Sequence, residues 1–260
     1  MNKAIIKQAI SSNWKLWTIL TGVFLAFIVL ILFAIISNFD DISSSASTEV
    51  EIGIENIIAG AFLTPVGLGG ILMTVLAVVI GNKLVAREVD SGSMSFVLNT
   101  ETTRKRVLLS KAFVYFVMLI LFAVLGGVVS IIMAATANSA NITVDMGKLS
   151  TLLFGFILYS FAISSISFCA SCWFNKVSFS LMIGAGIPLL FLIMGMIAPA
   201  LASQPDLQNI IKSLTLTTLF DASEIIRQGA NAWQFVALAI IGLVLYTVGI
   251  IRFLKKDLPL

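Results

Sequence analysis

The sequence predicts an all-α protein that crosses a membrane six times. Two observations carry that prediction. Six apolar runs approach the ~20 residues a helix needs to cross a bilayer core, and no charged residue interrupts any of them. The chain is also 59% hydrophobic and only 11% charged, under half the ~25% charged content of a soluble domain. No tandem repeat is visible and no link has room for a soluble domain, so residues 1–260 read as one transmembrane domain.

The elements follow in order. Ile6, Ile10, Trp14 and Trp17 share one helical face, with Lys3, Lys7, Ser11 and Lys15 on an adjacent one. This spacing predicts an interfacial helix over residues 1–15, its lysines near anionic membrane lipid; a frayed basic tail is the alternative. The first span is expected over Leu16–Ser37. It is read as a retained anchor, because its apolar run exceeds a signal h-region and "SNFDDISSS" lacks a small-x-small cleavage site. The second span, Ile57–Ile80, carries Pro65, Gly67, Gly69 and Gly70, which predicts a kink or a close helix contact. The third is Ala112–Ala137 and the fourth Leu149–Phe174. In the fourth, Ser160, Ser164, Ser167 and Ser171 fall on one helical stripe. The stripe reads either as a helix–helix seam or as a candidate substrate path, the seam being favoured.

The fifth span, Phe179–Leu201, contains Gly184, Gly186 and Pro188 and has the same kink-or-contact expectation. Residues 202–232 form a long loop on the far side of the membrane. There Ile210, Ile211, Leu214, Leu219 and Phe220 predict helices that dip into the outer leaflet. Asp221 and Glu224 make a capping box, Gly229 a stop, Asn231 a cap for the sixth span and Trp233 its interfacial anchor. That span is Trp233–Ile251.

Charge sets the orientation. Thirteen of the sixteen basic residues precede span one, lie between spans two and three or four and five, or follow span six. Lys148, Lys212 and Arg227 remain for the opposite side, with most of the acids. The positive-inside rule therefore places both termini in the cytoplasm of a multi-pass plasma-membrane protein.

Histidine is absent. Intramembrane zinc proteases and serine–histidine hydrolases are accordingly not expected, since both need imidazole as ligand or base. Cys169 and Cys172 lie three apart within the fourth span. That spacing suits a disulfide poorly, and further metal-binding Cys or His are lacking, so they read as small packing residues. No cofactor, metal or nucleic-acid partner is expected.

Eight charged residues gather in one internal stretch between two apolar runs, "AREVDSGSMSFVLNTETTRKRVLLSK", residues 86–111. Gly92 should break the helix that continues span two, and Thr103 should cap the next one. Between them Met94, Phe96, Val97 and Leu98 offer a short apolar surface outside the bilayer core. Such a surface edged by charge suits docking to a partner; a turn resting on lipid is the alternative.

This stretch resembles the segment between spans two and three of ABC-2 family ABC exporter permeases. Glu88, Gly92, Ser93, Phe96, Leu98, Arg104 and Lys111 match its pattern, while Thr100 and Thr103 stand where the family usually has proline. "SLTLTTLFDASEII", from Ser213 to Ile226, also resembles the family's segment before the last span. The resemblance implies a permease that pairs with a second permease subunit and two cytoplasmic ABC ATPase subunits. Residues 86–111 would be the coupling segment, with Glu88, Gly92, Ser93, Met94, Phe96, Leu98 and Arg104 as coupling residues. The chain has no G-x-x-x-x-G-K-[ST] phosphate loop, so it is read as a transport subunit and not an enzyme. The uncharged spans suggest an amphipathic or hydrophobic cargo such as a peptide, antibiotic or drug. An ion-coupled carrier or channel would usually hold ionisable groups at mid-membrane. That class and a membrane immunity protein without an ATPase are the competing readings.

Overall fold

The computed structural model describes residues 3–37, 67–93, 103–139, 145–201, 205–220, 225 and 231–256. Among these, every regular element is helical. Numbered along the chain they are α1 (Lys3–Ser37), α2 (Leu68–Leu84), α3 (Ala86–Asp90), α4 (Arg104–Ser139), α5 (Met146–Trp173) and α6 (Val177–Ile197). A 3-10 turn (Ala198–Leu201), α7 (Pro205–Leu214), a second 3-10 turn (Leu216–Phe220) and α8 (Ala232–Lys255) follow. Six segments, α1, α2 continued by α3, α4, α5, α6 and α8, are long and apolar enough to cross a membrane.

The bundle is organised around α2 and α5. In their most apolar windows 67% of residues are buried, against 22% in α1 and α6. Helix α5 packs on α2, α4, α6 and α8, while α1 packs on α4 and α2. Hydrophobic burial gives little drive between helices in lipid, so close fit and hydrogen bonds must hold them. Phe24 of α1 supplies fit by stacking on Phe122 of α4 with centroids 4.8 Å apart. The outward faces stay apolar, as Met182, Ile193 and Met196 on α6 are exposed.

The structure departs from the sequence-based expectations in two places and adds two features that they lacked. Residues 3–15 do not form a separate helix but continue into the first span, so α1 is a single helix of 35 residues. Helix periodicity alone cannot tell a straight entry from a bent one. In span two Gly69 and Gly70 are buried in the bundle, in keeping with the contact side of the kink-or-contact expectation, while Pro65 lies outside the described residues. A break that no expectation named lies at Val85 (φ −123°, ψ −66°), beyond the expected end at Ile80. Asn231 occupies the N-cap of α8, but its side chain makes no capping bond; its carbonyl accepts from the Gln234 N–H at 3.0 Å. At the start of α5 it is Asp145 that caps, accepting from the Gly147 and Lys148 N–H groups at 2.9 and 3.2 Å.

The loop after α6 does return to the bundle. Leu216, Thr217 and Phe220 are buried, and their 3-10 turn packs on α5, α6 and α8, which shelters its non-α backbone. Phe220 lies over Gly155, where an added Cβ would come within 2.3 Å of its ring, and stacks near Tyr159 at 6.1 Å. Glycine at 155 is what admits the ring. The capping box Asp221/Glu224 and Gly229 fall outside the described residues.

Candidate functional site

The charged segment between spans two and three enters and leaves through a tied junction. Helix α3 ends where Gly92 adopts φ +71°, a left-handed conformation that glycine takes without steric cost. The Gly92 N–H closes the turn on the Val89 carbonyl at 3.1 Å. Hydroxyls of Ser91 and Ser93 both return to the Glu88 carbonyl, at 3.4 and 3.2 Å. A glycine followed by a small hydroxyl residue is thus a compact helix stop. On the other side, the Thr103 carbonyl accepts from the Arg106 and Val107 N–H groups and opens α4.

Two turns into α4, the Lys111 ammonium pairs with the Glu88 carboxylate. It also donates to the Leu84 carbonyl at 2.8 Å, beside the break at Val85. Lys111 is 3% exposed and Glu88 23%, so the pair sits at the margin of the packed bundle. Nearness in sequence does not choose the partner: Arg104 and Lys105 belong to the first turn of α4, whereas Lys111 lies on the face that reaches α2 at Leu84.

Asp90 ties the same segment to span five. Its Oδ2 accepts from the Val177 N–H at 3.2 Å, at the start of α6, where Lys176 supplies no side-chain cap. A carboxylate there satisfies an orphan donor and complements the helix dipole. Further contacts gather the remaining spans at this end. Lys83 donates to the Ser12 carbonyl of α1, Arg104 to the Lys256 carbonyl at 3.4 Å, and Lys256 to the Cys172 carbonyl at 3.3 Å. Arg252 lies 4.9 Å over the Trp173 ring. Burial lowers the pKa of Lys256 from its ordinary value, and the Arg252 charge adds to that. Of the residues singled out in the sequence, Glu88, Gly92 and Ser93 come together at the end of α3 and Arg104 instead bonds to Lys256, while Met94, Phe96 and Leu98 lie outside the described residues. Asp90 was missed, because its partner is 87 positions away.

The serine stripe lies elsewhere, in the middle of the bundle. Ser160, Ser164, Ser167 and Ser171 are buried and each hydroxyl is engaged. Ser160 and Ser171 donate back to the Phe156 and Phe168 carbonyls at 2.7 and 2.8 Å. Ser164 bonds to Tyr246 of α8 at 2.9 Å, and Tyr115 of α4 donates to the carbonyls of Ala77 and Ser164 at 2.8 and 3.2 Å. Ser167 donates to the Gly184 carbonyl at 2.7 Å. That carbonyl needs a donor, because its i+4 residue is Pro188, which has no N–H. The proline of span five and the stripe of span four are therefore one feature. Ser164→Ala and Ser167→Ala should each cost about 1 kcal/mol or less, Ser167→Ala more of the two. Thermal unfolding in detergent checks this; a changed cargo profile with intact assembly would assign the stripe to the path instead.

An apolar cavity of about 470 Å³ opens between α5, α6 and α8, lined by Ile166, Cys169, Trp173, Ile183, Ile187 and Phe191 among others. Cys172 is buried and both thiols are free.

Six apolar helices gathered into one bundle define a multi-pass membrane protein. Residues 6–258 match the family described as "ABC-2 family transporter protein", nearly the whole chain. The chain belongs to the ABC-2 transporter family and is a permease component of an ABC transporter. None of the curated proteins compared matches it.

Proposed function

We propose that this permease works in an ATP-driven exporter, docking a separate ATPase through residues 86–111 and pairing with a second permease subunit. Both termini and the docking segment face the cytoplasm of the plasma membrane. The observation that carries the reading is the junction. The segment holding Phe96 and Leu98 is anchored to α4 through Glu88 and Lys111 and to α6 through Asp90. A push delivered between these anchors reaches spans two, three and five together, which suits a rigid-body switch driven by ATPase closure. The cavity between α5, α6 and α8 supports an amphipathic or hydrophobic cargo, since it has the size and apolar lining of small-molecule pockets. The buried, fully engaged hydroxyls of the serine stripe support its role as a seam.

Two experiments test the proposal. The tagged chain, purified from its own membranes, should bring down an ABC ATPase whose hydrolysis apolar cargo stimulates; a chain that purifies alone and transports without ATP would overturn it. A cysteine at Ser45 should react with an impermeant thiol reagent from outside intact cells, and one at Thr102 should not. Labelling of both from the same side would contradict the orientation.

A further inference from the structure

We infer that the groove between α1 and α4 is a binding site for one anionic phospholipid. Because α1 is unbroken, its N-terminal turns stand alongside the bundle. Ile5, Ala9 and Asn13 are buried, and the Trp17 indole N–H donates to the Met118 carbonyl at 2.7 Å. Lys83 to Ser12 and Lys111 to Leu84 put Ser12 and Lys111 at one level, so α1 and α4 run parallel here. Beside the Trp17–Met118 contact the two helices leave an apolar groove of about 240 Å³, with Ile10, Trp14 and Thr18 on one wall and Phe113, Val117 and Leu121 on the other. From Ile10 to Thr18 the groove rises about 12 Å, within the ~15 Å of hydrocarbon in one leaflet.

The groove does not end in apolar residues. Ile6, Ile10 and Trp14 continue into a hollow that also includes Lys3, Lys7 and Ser11. Both lysines are exposed and begin one turn beyond Ile10. On α4, Lys105 and Arg106 are exposed at the corresponding end. An apolar trough closed at one end by cations matches a molecule with an acyl chain and an anionic headgroup. Cargo leaving through the bundle interior would have no use for it, and a second copy of the chain would bring its own lysines against these.

The test is native mass spectrometry on the full-length protein reconstituted with equal phosphatidylglycerol and phosphatidylcholine, then extracted in detergent. The wild type should retain phosphatidylglycerol preferentially. Lys3→Gln with Lys7→Gln should reduce that preference by about thirty-fold, each lysine near a membrane surface contributing about five-fold. Val117→Trp, which fills the trough, should lower retention of both lipids. Excess glycerol phosphate, a headgroup without a chain, should displace neither. Equal retention of the two lipids by the wild type, unchanged retention in the lysine variant, or displacement by glycerol phosphate would overturn the site. So would an interchain disulfide at Ile10→Cys, which would assign the groove to a second copy.

Discussion

Glu88→Ala is expected to destabilise the protein by about 3 kcal/mol, with the loss concentrated around residues 84–92. The reason is the ammonium left behind. Lys111 is almost completely buried while Glu88 is 23% exposed, so removing the acid strands a charge that cannot reach water. Breaking a buried pair by deleting one partner costs about 3–5 kcal/mol, and the partial exposure of Glu88 points to the lower end. Lys111→Met should be milder, because the remaining carboxylate can turn to solvent. The double variant Glu88→Leu/Lys111→Met should recover most of the loss, since an apolar pair of similar volume replaces a buried ion pair at little cost. Thermal unfolding in detergent and hydrogen exchange at residues 84–92 measure the series. A double variant no better than Glu88→Ala would show that the ion pair does not hold the junction.

Replacing both Phe96 and Leu98 with aspartate is expected to abolish association with the ATPase while leaving membrane insertion intact. Both residues lie in the charged link and outside every apolar span. Apolar and aromatic anchors dominate small docking surfaces at about 2 kcal/mol or more each, and a factor of ten in affinity needs only about 1.4 kcal/mol. Two buried carboxylates in place of two anchors should therefore lower affinity more than a thousand-fold. Co-purification of the ATPase and cargo-stimulated hydrolysis are the measurements. Wild-type values in both would reduce residues 92–98 to a surface turn.

Run length alone made the spans legible, because twenty uncharged residues have few other uses. Gly92 was legible for a similar reason: a glycine after a charged helical turn is a common stop, and here it takes φ +71°. The break at Val85 was not legible, since no proline or glycine marks it. Lys111, which binds the Leu84 carbonyl beside it, does so from 27 positions away in the sequence. The unbroken α1 was missed because its amphipathic start and apolar continuation fit a bent or a straight helix equally well. Ser167 and Pro188 were each noticed separately. What joins them is the Gly184 carbonyl, and that acceptor is orphaned by a missing N–H that only the packing of α5 on α6 turns into a bond.

The central claim is that residues 92–98 meet an ATPase, and a photo-crosslinking amino acid at Phe96 tests it most directly. Incorporated into the full-length chain in its own cells and activated by light, it should capture an ABC ATPase subunit. The yield should change when a non-hydrolysable ATP analogue is added to the isolated membranes. Capture of lipid alone, with no protein adduct under either condition, would contradict the account.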